Sequence, residues 1–209
     1  MVVAQWLVAP FNASSCQTQS MVLPVGVVVR PLVHHRDARG SLVEAFRASN
    51  NGLLLHQLNV VVSQPGALRG VHLHRAHADH LLMVEGRMVV GLYDCRADSP
   101  TAGCAAAVVL HDRDCTVTIP PGVAHGFWFP HGGTLLYGLS SEWSMSDELG
   151  CRWDDPDLGI DWCAHGDPHP RDTADGPLLS ERDHHAGRLG EMLGAFAAAD
   201  RSSAPRTHG

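Results

Sequence analysis

The sequence predicts a mainly β chain, a sandwich or barrel of short strands with a few short helices, one of them C-terminal. Three observations predict it. Runs rich in Val, Ile, Leu and aromatic residues recur between Val22 and Leu139. Turn signals such as Pro65-Gly66, Gly86-Arg87 and Pro120-Pro121-Gly122 separate them at short intervals. The clear helical spacing, Leu189, Met192, Leu193 and Phe196, lies near the C-terminus.

Taken in order, Val22–Arg30 is strongly β-branched and reads as a strand, His34–Arg39 as a polar connection, and Gly40 as a turn. Ser41–Arg47 reads as a short strand bearing Glu44, and Ser49–Gly52 as a second turn. Leu53–Ser63 is a longer strand, in which Gln57 and Asn59 share a face because side chains alternate with period two. Leu81–Glu85 and Met88–Tyr93 read as a hairpin about Gly86-Arg87. Ala105–Leu110, Cys115–Ile119, Val123–Phe129 and Thr134–Leu139 complete the strands, and Leu189–Ala199 is a helix packed on them. The expected organisation is a poorly ordered extension over residues 1–20, one domain over 21–200, and a disordered tail over 201–209.

Composition narrows the function. The chain has 209 residues, a net charge of −7 and 15 basic residues, none of them lysine. That balance argues against a partner held by phosphate neutralisation, so no nucleic acid is expected. No apolar run reaches the roughly 20 residues of a membrane span, and residues 1–20 lack a basic leader segment. The six cysteines form no C-x-x-C pair and read as free thiols of a cytoplasmic protein.

The chemistry concentrates in residues 68–86, where Arg69, His72, His74, His77, Asp79 and His80 precede a hydrophobic run. Burying so many titratable groups is costly unless each is paired. Two chemistries justify the cost. One is a metal site. His72-x-His74, then Asp79, then Gly86 follow the ligand part of the first cupin motif, and Pro120-Pro121-Gly122-Val123-Ala124-His125 follows the second. His72, His74, Asp79 and His125 then form an imidazole–carboxylate set suited to a transition metal, as in a cupin dioxygenase or isomerase.

The other is an acid–base site. Arg69-Gly70-Val71-His72 resembles the L-R-G-L-H motif of the dTDP-4-dehydrorhamnose 3,5-epimerase family, metal-free members of the cupin superfamily. The likeness runs from about residue 22 to 185. It takes in Asp37-Ala38-Arg39-Gly40 with Glu44, Gln57-Leu58-Asn59, Ser99-Pro100-Thr101, Ile119–Phe127, Tyr137 sixteen residues before Trp153, Ile160-Asp161-Trp162, and Pro177–Asp183. The resemblance implies a cupin-type jelly-roll and epimerisation of an NDP-4-keto-6-deoxysugar without a cofactor. It implies His72 as the base, Asp183 as its partner and Tyr137 as the acid on the opposite face. It also implies substrate contacts at Arg39, Glu44, Gln57, Asn59, Arg69, His125, Trp143, Glu148 and Arg182. A homodimer is expected, with the N-terminal part of one subunit bringing Arg39 and Glu44 to its partner's site.

The chemistry stands independently of the likeness. A proton on a carbon beside a ketone is acidic enough for a positioned imidazole, and a carboxylate on the other ring nitrogen fixes the tautomer and stabilises the imidazolium. The sequence departs from the family at three places. Asp79 stands where the family usually carries a lysine near the sugar carbonyl, leaving His74, His77 or His80 to replace that donor; otherwise His77, His80, His34 and His35 read as surface or loop residues. Trp143 replaces an aromatic tyrosine, and Ser41-Leu42 an aromatic pair. These departures point to a specialised deoxysugar epimerase, inverting C3, C5 or both. A third reading is a non-catalytic sugar-nucleotide-binding cupin.

Overall fold

The structure, a computed structural model, describes Leu7–Val8 and residues 22–203. In chain order the strands are β1 (Leu7–Val8), β2 (Val28–Pro31), β3 (His34–Asp37), β4 (Gly40–Val43), β5 (Gln57–Ser63), β6 (Ala67–His74) and β7 (Asp79–Asp94). They continue with β8 (Ala105–His111), β9 (Cys115–Ile119), β10 (Val123–Phe129), β11 (Gly133–Leu139) and β12 (Glu148–Gly150). The α-helices are α1 (Ala48–Asn51), α2 (Glu181–His184) and α3 (Leu189–Ser203).

Two antiparallel layers share β7. Its first half pairs with β9 and β11, whose outer neighbours are β2 and β5. Its second half pairs with β8 and β10, and β10 continues to β6 and β12. Between the layers lie Leu81, Met83, Met88, Leu92, Ile119, Phe127, Phe129 and Leu135, most of them inaccessible to solvent. A second core forms on the other face of the β6–β10 layer, where Leu68, Val71, Leu73 and Trp128 meet Trp153, Trp162 and the Leu189, Met192 and Phe196 face of α3. Each large apolar side chain fully buried this way contributes roughly 1.5–3 kcal/mol. β1, β3 and β4 form a separate small sheet. The expected jelly-roll with one C-terminal helix is the architecture observed.

Several local expectations change. Gly86-Arg87 does not reverse the chain. Asp79–Asp94 is one continuous strand, and Gly86, at φ +93°, bends it from one layer to the other. A Cβ there would lie 2.7 Å from the Gly132 carbonyl oxygen, so glycine serves a close backbone crossing rather than a hairpin. Of Val22–Arg30, only the end pairs, because β9 meets Val28–Pro31. His34–Asp37 is a strand rather than a connection, and the turn expected at Ser49–Gly52 is the short helix α1, closed by left-handed Gly52. Apart from Leu7–Val8, which pairs with β3, the extension expected over 1–20 lies outside the described residues, as do residues 204–209 of the expected tail. Residues 201–203 continue α3. No helix among the described residues is long and apolar enough to cross a membrane.

Candidate active site

A cavity of about 600 Å³ opens between the layers, with His72 entering from β6 and Tyr137 from β11. Strand alternation alone would put Arg69 and His72 on opposite faces. A bulge prevents this, since the β6–β10 register passes from His72 opposite His125 to Arg69 opposite Phe127. One extra residue on β6 therefore turns Arg69 and His72 to the same side and leaves Leu68, Val71 and Leu73 in the outer core. Gly70 permits it, with φ +107° and a virtual Cβ only 2.8 Å from the His125 carbonyl oxygen.

His72 Nε2 lies 2.6 Å from Asp183 Oδ1, within hydrogen-bonding distance. Asp183 is buried at the base of α2, where it also accepts from the Gly70 N–H at 3.3 Å. Ser180 is the N-cap of α2 and accepts from the Asp183 backbone N–H. The Ser-x-x-acid pattern Ser180–Asp183 was the available sequence signal for this support. Burial pushes the Asp183 carboxyl up, but the His72, Ser180 and Gly70 interactions outweigh it and hold the group below the ordinary carboxylate range. Glu148 Oε1 lies 3.2 Å from His72 Nδ1 and 2.8 Å from the Arg182 guanidinium, which lies beside the same ring.

A polar chain extends from this pair along the wall. Glu148 accepts from the Trp143 indole N–H at 2.6 Å, Gln57 accepts from the Trp143 backbone N–H at 2.8 Å, and Gln57 donates to Asn59 at 3.0 Å. Arg69 donates to Ser63 at 3.1 Å. Thus His72, Asp183, Tyr137, Gln57, Asn59, Arg69, Trp143, Glu148 and Arg182 all line one cavity.

Three expected contacts lie elsewhere in this chain. Arg39 is largely exposed at the β3–β4 turn and pairs with Asp37, while Glu44 pairs with Arg47. His125 lies beneath the cavity with Phe127 stacked on it at 5.4 Å, so Phe127, overlooked in the sequence, forms the floor.

Below Phe127 sits a buried polar cluster. Asp79 Oδ2 is 3.6 Å from His125 Nε2 and 4.0 Å from His74 Nε2. His77, expected at the surface, is buried with Nε2 3.9 Å from Asp79 Oδ1 and Nδ1 3.2 Å from Asp147. His80 is buried as well, bridging Thr118 and the Ala45 carbonyl. These positions follow from β7 beginning at Asp79, which draws the preceding loop into the barrel. None of His74, His77 and His80, expected as substitute donors to the sugar carbonyl, lines the cavity. Burial, then neighbouring histidines, lower His74 to about 2, and burial lowers His125 to about 3, keeping both neutral. Burial raises Asp79 well above the ordinary carboxylate range despite a hydrogen bond from Tyr137. Tyr137 is raised by burial and by Asp79. Of the four candidate metal ligands, His74, Asp79 and His125 converge and His72 stands apart with Asp183.

The family model for dTDP-4-dehydrorhamnose 3,5-epimerase matches residues 23–191. The dTDP-4-dehydrorhamnose 3,5-epimerase of Mycobacterium tuberculosis is 32% identical over 178 residues, covering 80% of this chain and 84% of its own. The dTDP-4-dehydro-6-deoxyglucose 3-epimerase of Streptomyces bikiniensis is 34% identical over 175 residues, covering 78% and 85%. The crystal structure of a 3'-monoepimerase from Streptomyces bikiniensis in complex with dTDP-quinovose superposes with a TM-score of 0.71 at 29% identity, covering 88% of this chain and 97% of that one. With the motifs, the layered fold and the match over residues 23–191 in agreement, this chain belongs to the dTDP-4-dehydrorhamnose 3,5-epimerase family.

Proposed function

We propose that this chain epimerises a dTDP-4-keto-6-deoxysugar at C3, C5 or both. One observation carries the reading: the hydrogen-bonded pair His72–Asp183 and the hydroxyl of Tyr137 enter one cavity from two different layers. His72 takes the proton from the carbon beside the ketone and becomes an imidazolium between Asp183 and Glu148. The electron pair moves onto the ketone oxygen as an enolate. Tyr137 then delivers its proton to the other face, which inverts the centre, and the two protein groups exchange protons with solvent to reset. Burial of Tyr137 keeps it protonated until an enolate is presented.

Arg69 and Arg182 are cations lining the same cavity, and they suit the diphosphate through their forked donors. Trp143 and Phe127 provide apolar walls for the sugar and base. Relatives crystallised with dTDP and dTDP-sugars support that nucleotide.

The chain acts as a homodimer in this reading. Leu58, Val60 and Val62 expose 60%, 68% and 67% of their surface on β5, which lies at the end of its layer. Such a row needs a cover. The exposed Arg39 turn and Glu44 then have a partner's cavity to reach, as they contribute nothing to their own.

The test is incubation with dTDP-4-keto-6-deoxyglucose in D2O, followed by NMR at C3 and C5. Deuterium at either carbon with inversion supports the proposal. Nucleotide binding without exchange would instead favour the non-catalytic reading.

A further inference from the structure

Removing a proton beside a ketone leaves negative charge on the ketone oxygen, and a preorganised donor at that oxygen lowers the barrier. The chain contains no lysine, so another kind of donor must serve. Most donors of the cavity have other work. Arg69 and Arg182 serve the diphosphate in the reading above, the Trp143 indole N–H is given to Glu148 at 2.6 Å, and Tyr137 is the proton source for carbon.

The amide of Asn59 is different, and its neighbours dictate its orientation. The Trp143 backbone N–H can only donate, so the Gln57 atom 2.8 Å from it is the oxygen Oε1. The other end of Gln57 is then its NH2 group, which lies 3.0 Å from Asn59 and needs an acceptor there. Asn59 therefore gives Oδ1 to Gln57 and keeps its own NH2 group, which donates to nothing among the described residues. Asn59 stands directly opposite Tyr137 on the β5–β11 ladder. Their side chains share a face, about 5 Å apart at Cβ, and both line the cavity.

We propose that Asn59 is the oxyanion donor of the reaction and that Gln57 is a positioning residue, locked by the Trp143 backbone so that Asn59 presents only N–H groups to the sugar. The inference rests on the epimerase reading given above. As His72 takes the carbon-bound proton, the electron pair moves to the ketone oxygen, which accepts a hydrogen bond from Asn59 Nδ2. Asn59 keeps its protons throughout. When Tyr137 protonates the carbon, the pair returns and the ketone re-forms. A neutral amide suits this place, because a cation beside Tyr137 would favour the tyrosinate and weaken its hold on the proton. The adjacent strands β5 and β11 then carry the donor and the acid, and β6 brings the base to the same cavity.

The experiment compares full-length wild type, Asn59→Ala and Gln57→Glu in turnover of dTDP-4-keto-6-deoxyglucose and in its deuterium exchange in D2O, with a dTDP titration of each. Asn59→Ala removes the donor. Gln57→Glu still accepts from Trp143 but offers Asn59 an acceptor, so Asn59 must turn its NH2 group to Glu and its oxygen to the cavity. Both variants should lower kcat and the exchange rate about 10²–10³-fold while binding dTDP. A raised KM with kcat within about tenfold of wild type in Asn59→Ala would make Asn59 a binding contact and overturn the proposal. Loss of dTDP binding together with turnover in both variants would overturn it too, by assigning the pair to the nucleotide. Wild-type turnover in Gln57→Glu would overturn the positioning role. Absence of exchange by the wild type would overturn the epimerase reading itself and this inference with it, whereas wild-type exchange with an unaffected Asn59→Ala would overturn the inference alone.

Discussion

Asp183 accepts a 2.6 Å hydrogen bond from His72 although 111 residues separate them along the chain. The contact ties the four-residue helix α2 to strand β6 and fixes the orientation of the imidazole in the cavity. Asp183→Asn keeps the volume but presents either a donor or a weaker acceptor to Nε2. Turnover should fall by about 10²–10⁴-fold with little change in nucleotide affinity, measured by steady-state kinetics and dTDP titration.

Tyr137 acts after the proton has left the sugar. Tyr137→Phe should lower formation of inverted product on the order of 100-fold while deuterium still enters at the original configuration. NMR of the sugar after timed incubation in D2O separates the two events. Normal inversion in this variant would remove Tyr137 from the pathway.

Gly70→Ala tests the bulge that brings Arg69 and His72 to one face. The added methyl would meet the His125 carbonyl oxygen at 2.8 Å from a backbone at φ +107°. Stability should drop by at least about 2 kcal/mol in denaturant unfolding, and activity should fall with it because Arg69 or His72 must leave the cavity.

Acid stability is tied to Asp94. Burial acts to raise this carboxyl, but the Arg96 guanidinium and the Ser99 and Thr101 hydroxyls more than offset it, and its pKa is well below the ordinary value. The unfolded chain therefore binds this proton more readily than the folded one. The contribution is complete above the unfolded value of about 3.9 and is lost as pH falls through the lower folded value. Asp94→Asn should cost about 2 kcal/mol near neutrality and flatten the acid limb of a stability–pH profile below pH of about 4.

Much of the site was legible because its signals are local. Gln57 and Asn59 share a face by strand period and meet in the cavity at 3.0 Å. Arg69 and His72 were readable as a motif, but not as neighbours on one face, because the bulge at Gly70 breaks the period that would separate them. His77 and His80 look solvent-exposed in a polar stretch. Their burial depends on Asp147, Thr118 and Ala45, partners far along the chain that no periodicity reveals. Gly86 shows the same limit at the level of fold: its positive φ signals a backbone crossing as readily as a turn, and only the Gly132–Gly133 contact decides between them.

The most direct measurement is solvent deuterium incorporation into dTDP-4-keto-6-deoxyglucose by wild type and His72→Ala, followed at C3 and C5 by NMR. Wild type should label at least one of these carbons, and His72→Ala should bind dTDP yet label neither. Labelling at the wild-type rate in His72→Ala would contradict the assignment of His72 as the base.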